Sequence, residues 1–137
     1  MKLIPTILAA LMLLVGCGGA NSTAKSGDAT VKEAAYKQIT QDEAKRLMAE
    51  ESGYIILDVR TQEEYDAGHI PGAVCIPNEE ISGKPPAALT DYDQLILVYC
   101  RSGNRSKQAS QKLADMGFTC IYEFGGINTW TGEIVTG

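Results

Sequence analysis

Apolar and polar positions change their period several times along this chain. Residues 3–15 are almost wholly apolar, interrupted by Pro5 and Thr6. Residues 18–35 show no apolar periodicity and are rich in Gly, Ser, Thr and Ala, which predicts a flexible tether. From Tyr36 onward, apolar runs alternate with stretches of helical spacing. Thr40-Gln41-Asp42-Glu43 reads as a capping box. Ala44, Leu47 and Met48 follow on one helical face, and Gly53 stops the helix. Residues 54–59 form a continuous apolar run interrupted only by Asp58, the pattern of a buried strand. Thr61 to Glu64 is a second capping box, opening a short helix that Gly68 ends. Residues 73–76 read as a short strand closed by Pro77, and residues 79–92, with Gly83, Pro85 and Pro86, as mostly loop. Residues 95–99 are a second central strand. Residues 106–116 are a helix with Ala109, Leu113 and Ala114 inward, ended by Gly117. Residues 119–124 give a further strand, broken at Gly125-Gly126, and residues 127–130 a short terminal helix.

This alternation predicts an α/β fold with a mainly parallel central sheet flanked by helices on both faces. Ligands of such sheets bind beyond the carboxyl ends of the strands. That rule directs attention to the segments after Val59 and after Tyr99.

Composition narrows the classes. A length of 137 residues allows one domain, and 45% hydrophobic with 21% charged residues excludes a wholly disordered chain or a multi-pass membrane protein. A net charge of −5 offers no basic field for nucleic acid. Four cysteines are too few for a disulfide scaffold, and the absence of any Cys-x2-Cys pair argues against zinc. No cofactor is expected.

The segment after Tyr99 carries the chemistry. It reads Cys100-Arg101-Ser102-Gly103-Asn104-Arg105-Ser106: a cysteine at a strand end, a polar loop, then a helix start. Backbone N–H groups at a helix start lack internal partners and converge on anions. Cysteines at helix N-termini or beside Arg titrate at roughly 3.5–7.5, against ~8.5 for a free one. Arg101 and Arg105 add positive charge, and Gly103 relieves a tight loop. The set describes an activated nucleophile in a cradle for an anionic substrate.

Four patches then resemble the single-domain rhodanese family of sulfurtransferases. They are Leu57-Asp58-Val59-Arg60 with Glu63-Glu64-Tyr65; Gly68-His69-Ile70-Pro71-Gly72-Ala73; Cys100 to Ser106; and Gly125-Gly126-Ile127-Asn128-Thr129-Trp130. The resemblance covers about 100 residues. It implies that Cys100 attacks the sulfane sulfur of a donor such as thiosulfate, carries it as a persulfide, and yields it to a thiol or cyanide. It implies that Arg101, Ser102, Gly103, Asn104 and Arg105 hold the substrate, with the loop amides on the persulfide and the two arginines on the anionic donor. Asp58 and Arg60 would support the loop by pairing with each other or with backbone. Two other readings fit the same residues: a non-catalytic rhodanese-like binding module, and a cysteine phosphatase or arsenate reductase. The phosphatase relatives use a Cys-x5-Arg loop, whereas Cys100 to Arg105 is Cys-x4-Arg, a smaller ring that suits one sulfur better than a tetrahedral oxyanion.

His69 reads as structural, in a turn before an edge strand. Glu64 reads as a helix-cap partner and Trp130 as a core anchor. Cys75 and Cys120 read as two inert buried thiols. The sheet order that the family implies keeps their strands apart, and a disulfide needs Cα atoms within about 7 Å.

The first residues read as an address. Lys2 precedes the apolar run, which is too short to span a bilayer and has the length of a signal-peptide core. Leu14-Val15-Gly16-Cys17 resembles a bacterial lipobox. That resemblance implies removal of residues 1–16 and acylation of Cys17 with palmitate-type chains. Residues 17–35 then form the tether and residues 36–137 the rhodanese-like domain. Two or three chains at ~0.8 kcal/mol per buried CH₂ anchor a protein stably. The expected location is the cell envelope, outside the cytoplasm. Gly18 favours the periplasmic face of the outer membrane in a two-membrane host, and a one-membrane host would carry the protein on the outer face of its cytoplasmic membrane.

Overall fold

The computed structural model describes residues 35–137; the leader, Cys17 and most of the expected tether lie outside the described residues. Five strands form one sheet: β1 (Lys37–Gln38), β2 (Ile55–Asp58), β3 (Val74–Cys75), β4 (Ile96–Cys100) and β5 (Ile121–Gly126). Three α-helices connect them: α1 (Gln41–Glu50), α2 (Gln62–Ala67) and α3 (Asn104–Asp115). Single 3₁₀ turns follow β3 (Asn78–Glu80) and β5 (Ile127–Thr129). The strand order is β1-β5-β4-β2-β3, with every pair parallel.

β4 is central and buried along its whole length. A strand covered on both faces must be apolar at successive positions, and Ile96-Leu97-Val98-Tyr99-Cys100 is. Its side chains alternate between two cores. Ile96, Val98 and Cys100 pack with Ala109, Leu113 and Ala114 of α3. Leu97 and Tyr99 pack with Ala44 of α1 and Phe124 of β5, and Tyr65 of α2 joins that face. Full burial of one such aliphatic side chain contributes ~1.5–3 kcal/mol. The helices therefore cover both faces, as the alternation of patterns predicts.

The caps form as their residues suggest. Thr40 Oγ1 accepts from the Glu43 N–H at the start of α1. At α2 the exchange is reciprocal: Thr61 accepts from Glu64 N–H, and Glu64 accepts from Thr61 N–H. Two boundaries differ from the sequence pattern. β1 is two exposed residues that pair with Tyr122 and Glu123, so it carries no apolar signal. Gly125-Gly126 does not break β5 but completes it. Opposite them, Val98 pairs with Glu123 and Cys100 with Gly126, so β5 holds one residue more than β4 over this stretch. Gly125, at φ +95°, takes up the resulting bulge.

Candidate active site

Cys100 is the last residue of β4, and its side chain is 1% exposed. Gly103 folds the chain back over it. At φ 114° and ψ −15°, Gly103 lies in the left-handed region that a side chain would oppose, and it is the N-cap of α3. This turn aims the Gly103 N–H at the sulfur, which accepts it at 3.0 Å. No side chain caps α3, so the amides of its first turn are not taken up by one. Ser106, fully buried in the first turn of α3, places its Oγ 3.4 Å from the sulfur.

The loop is seated on the end of β5. A Cβ on Gly126 would lie 2.0 Å from the carbonyl oxygen of Arg101, so only glycine permits this approach. The same carbonyl accepts from Asn128 N–H at 3.1 Å. Beneath the loop, Glu123 is 3% exposed. Its Oε2 accepts from Gly125 N–H at 3.0 Å and from Ser106 Oγ.

The two arginines have different surroundings. Arg101 is exposed, as are Ser102 and Asn104. Arg105 is half-buried and pairs with Glu64 in a two-pronged contact, Nη1 to Oε1 at 2.9 Å and Nη2 to Oε2 at 3.0 Å. The sequence reading gave Arg105 to an anionic substrate and Glu64 to its helix cap. The structure joins them, and Glu64 serves the cap and the arginine at once. The Arg105 hydrogen bonds hold the Glu64 carboxyl down to about 2, from an ordinary 4.5, against the opposing effect of its burial. The guanidinium is raised in turn, first by its Glu64 hydrogen bonds, and it also feels Cys100 and Glu79 through space.

Asp58 and Arg60 stand apart from the sulfur. Both are buried and form a bidentate pair, with Arg60 Nη2 2.7 Å from Asp58 Oδ2. Asp58 also accepts from Tyr99 Oη at 2.6 Å, and Tyr99 Oη accepts from Ile70 N–H. Arg60 Nη2 donates to Gly68 O at 2.7 Å. Burial and the Asp58 carboxylate push the Tyr99 phenol far up, so it stays a donor. The network ties β2, the penultimate residue of β4 and the 68–70 turn together on the face opposite the sulfur.

His69 belongs to that turn. It exchanges backbone hydrogen bonds with Val135, its ring lies flat on Tyr65 at 3.7 Å, and its Nδ1 is 2.8 Å from Tyr65 O. Trp130 packs on Phe124, with the Lys45 ammonium 5.2 Å over its ring. Cys75 is a free, half-buried thiol that contacts Arg60 O at 3.6 Å. Burial, then the Asp58 charge, pushes it up to about 11, which fits the inert role. Cys120, directly before β5, is 2% exposed. β4 and β2 lie between β5 and β3, the strand of Cys75. Among the described residues, no cluster of His, Cys, Asp and Glu is arranged to hold a metal ion.

Ser106 closed the loop motif without a role, and Glu123 had none in the sequence reading. An acid inside the run Ile121-Tyr122-Glu123-Phe124 was the available signal, since a charge on the inner face of a strand needs a partner.

The rhodanese-like domain family matches residues 40–133. The chain belongs to this family. It is 37% identical over 71 residues to thiosulfate sulfurtransferase PspE of Escherichia coli, across 52% of this chain and 68% of that protein. It is 36% identical over 96 residues to thiosulfate sulfurtransferase GlpE of Pseudomonas fluorescens, across 69% of this chain and 84% of that one. Among solved structures, a rhodanese with anions from E. coli aligns with a TM-score of 0.57 at 33% identity, covering 61% of this chain and 99% of that one. A rhodanese-like domain protein from Staphylococcus aureus aligns with a TM-score of 0.63 at 32% identity, covering 74% and 98%. The fold expectation is met in full, and the relatives' names support a sulfurtransferase class.

Proposed function

We propose that this rhodanese-like domain transfers sulfane sulfur, with Cys100 as nucleophile and carrier. One observation carries the reading. The Cys100 sulfur ends the central strand, accepts a backbone N–H from Gly103, and faces the start of a helix that no side chain caps. Such a setting favours negative charge on sulfur. The naming of relatives as thiosulfate sulfurtransferases supports the substrate class.

The thiolate of Cys100 attacks the outer sulfur of thiosulfate. A new S–S bond forms, the donor's S–S bond breaks, and sulfite leaves with the bonding pair. The outer sulfur of the persulfide then lies towards the first-turn amides of α3. A thiolate or cyanide acceptor attacks it, taking the sulfur as a persulfide or thiocyanate and returning the Cys100 thiolate. Exposed Arg101 steers the anionic donor, while Arg105, neutralised by Glu64, holds α3 in place.

Intact-protein mass spectrometry tests this. Thiosulfate adds one sulfur that maps to Cys100 and is removed by cyanide, and Cys100→Ser gains none. A folded, reduced protein that gains no sulfur would favour a binding module. Turnover of aryl phosphate or arsenate would favour the phosphatase chemistry.

The membrane reading is a second proposal, and it rests on the sequence of the leader. Cys17 carries acyl chains and holds the domain on a membrane surface outside the cytoplasm. The full chain expressed in a bacterial host should fractionate with membranes, with a lipid-modified Cys17 as its first residue. Cys17 recovered as a thiol or in a disulfide overturns this, because the lipid thioether needs the same sulfur.

A further inference from the structure

Glu123 is a buried carboxylate directly beneath the reacting cysteine, and sulfur transfer as written above gives it nothing to do. Its neighbours define a chain of three groups. Cys100 Sγ is 3.4 Å from Ser106 Oγ, and Ser106 Oγ is 2.5 Å from Glu123 Oε2. Ser106 has one hydroxyl proton to give. Three acceptors surround that hydroxyl: Glu123 Oε2, Gly103 O at 3.0 Å and Gly125 O at 3.5 Å. The carboxylate is the charged and nearest of them, so it takes the proton. The lone pairs of Ser106 are then left for the Cys100 S–H. The bonds run one way, from S–H to Oγ and from O–H to carboxylate.

We propose that Cys100, Ser106 and Glu123 form a proton relay that generates the thiolate, with Ser106 as the bridge and Glu123 as the internal acceptor. Cys100 gives its proton to Ser106 Oγ as Ser106 passes its own proton to Glu123 Oε2. The products are a thiolate, an intact hydroxyl and a neutral carboxylic acid. The Ser106 hydroxyl now donates to the sulfur, joining the Gly103 N–H, and the Glu123 acid donates to Ser106. The negative charge moves from beneath the loop to the sulfur. No outside base is required. Glu123 never touches the donor molecule; it is a positioning residue that acts through Ser106.

The other groups around Glu123 leave this role open. Gly125 N–H donates to the same Oε2. The strand neighbours in register, Gln38 of β1 and Val98 of β4, do not titrate. On α3, Arg105 is committed to Glu64.

The inference rests on Cys100 being the nucleophile, and its test does not depend on sulfur transfer. The readout is the pH profile of Cys100 alkylation by iodoacetamide, mapped by mass spectrometry, with the fold checked by circular dichroism. Glu123→Gln keeps an oxygen for Ser106 but cannot take the proton. It should slow alkylation at neutral pH by about tenfold and shift the profile to higher pH by about one unit. Ser106→Ala should do the same, and Ser106→Thr should restore the wild-type profile. A Glu123→Gln profile that overlies the wild type overturns the relay. So does a shift to lower pH, which would make Glu123 a charge that opposes the thiolate. If the variants fail to fold, infrared titration of the wild type decides. At neutral pH the Cys100 S–H stretch should be absent while a buried carboxylic-acid band is present, and that band should vanish as pH rises; an S–H stretch with no acid band at neutral pH overturns the relay. A relay signature with no sulfur taken from thiosulfate would remove the transferase reading and leave the relay. Sulfur transfer without the signature would do the reverse.

Discussion

At the scale of single residues, the reactivity proposed for Cys100 runs against its exposure. Cys75 is half-buried, and Cys100 is almost wholly enclosed. Exposure alone would rank Cys75 as the more reactive. Yet Cys75 is pushed up to about 11 by burial and by the Asp58 charge, so it is a protonated thiol at neutral pH. Cys100 meets a donated N–H. A limiting dose of iodoacetamide at pH 7 should therefore label Cys100 well before Cys75, as read by peptide mapping; labelling in the order of exposure would count against the cradle. At this scale the sequence was informative about identity and less so about partners. Cys100 and Gly103 were legible because a cysteine and a glycine between a strand and a helix have few other uses. The Arg105 contact with Glu64 was not legible. It joins residues 41 positions apart, and nothing local to either shows that α2 and α3 meet at those two side chains.

At the scale of elements, the Glu64–Arg105 pair couples the cap of α2 to the first turn of α3. The sign of its pH dependence follows from the lowered Glu64. A carboxyl that falls from 4.5 to about 2 on folding contributes its full stability above pH 4.5 and loses it as pH drops through 2. Glu64→Gln should flatten this part of the acid limb, so that urea midpoints at pH 6 and pH 2.5 differ less than in the wild type. An equal difference in both proteins would show the pair to be neutral. Both partners are about 30% exposed, so the effect is modest. Helices and central strands were legible from caps and apolar runs. The exceptions are instructive. β1 is two exposed residues defined by pairing alone. The glycines of β5 look like a terminator in sequence, but they continue the strand because the loop above needs their missing side chains.

At the scale of the whole molecule, one buried network fixes the arrangement of the sheet. Asp58 accepts from Arg60 and from Tyr99, and Arg60 reaches on to Gly68 O. Removing the carboxylate leaves a buried guanidinium without its counter-charge, a change that costs ~3–5 kcal/mol. Against a total stability of ~5–15 kcal/mol, that is a large share. Asp58→Ala should lower the unfolding free energy from urea denaturation by this amount, and a change below about 1 kcal/mol would mean that water enters and solvates Arg60. The motif around Asp58 and Arg60 was visible in the chain. Its third member, Tyr99, was not, because a tyrosine in an apolar run reads as core.

The seating of the cysteine loop has a consequence in time. Arg101 rests on Gly126, and Ser106 reaches Glu123, so the floor of the site is made by the last strand of the sheet. A chain synthesised only as far as α3 holds Cys100, Gly103 and Ser106 but nothing for them to rest on. Its cysteine is the ordinary thiol of an unfinished polypeptide. The proposed cradle is therefore complete only when β5 docks, so on this reading a partly synthesised chain carries no activated sulfur during the period when it is least able to protect one.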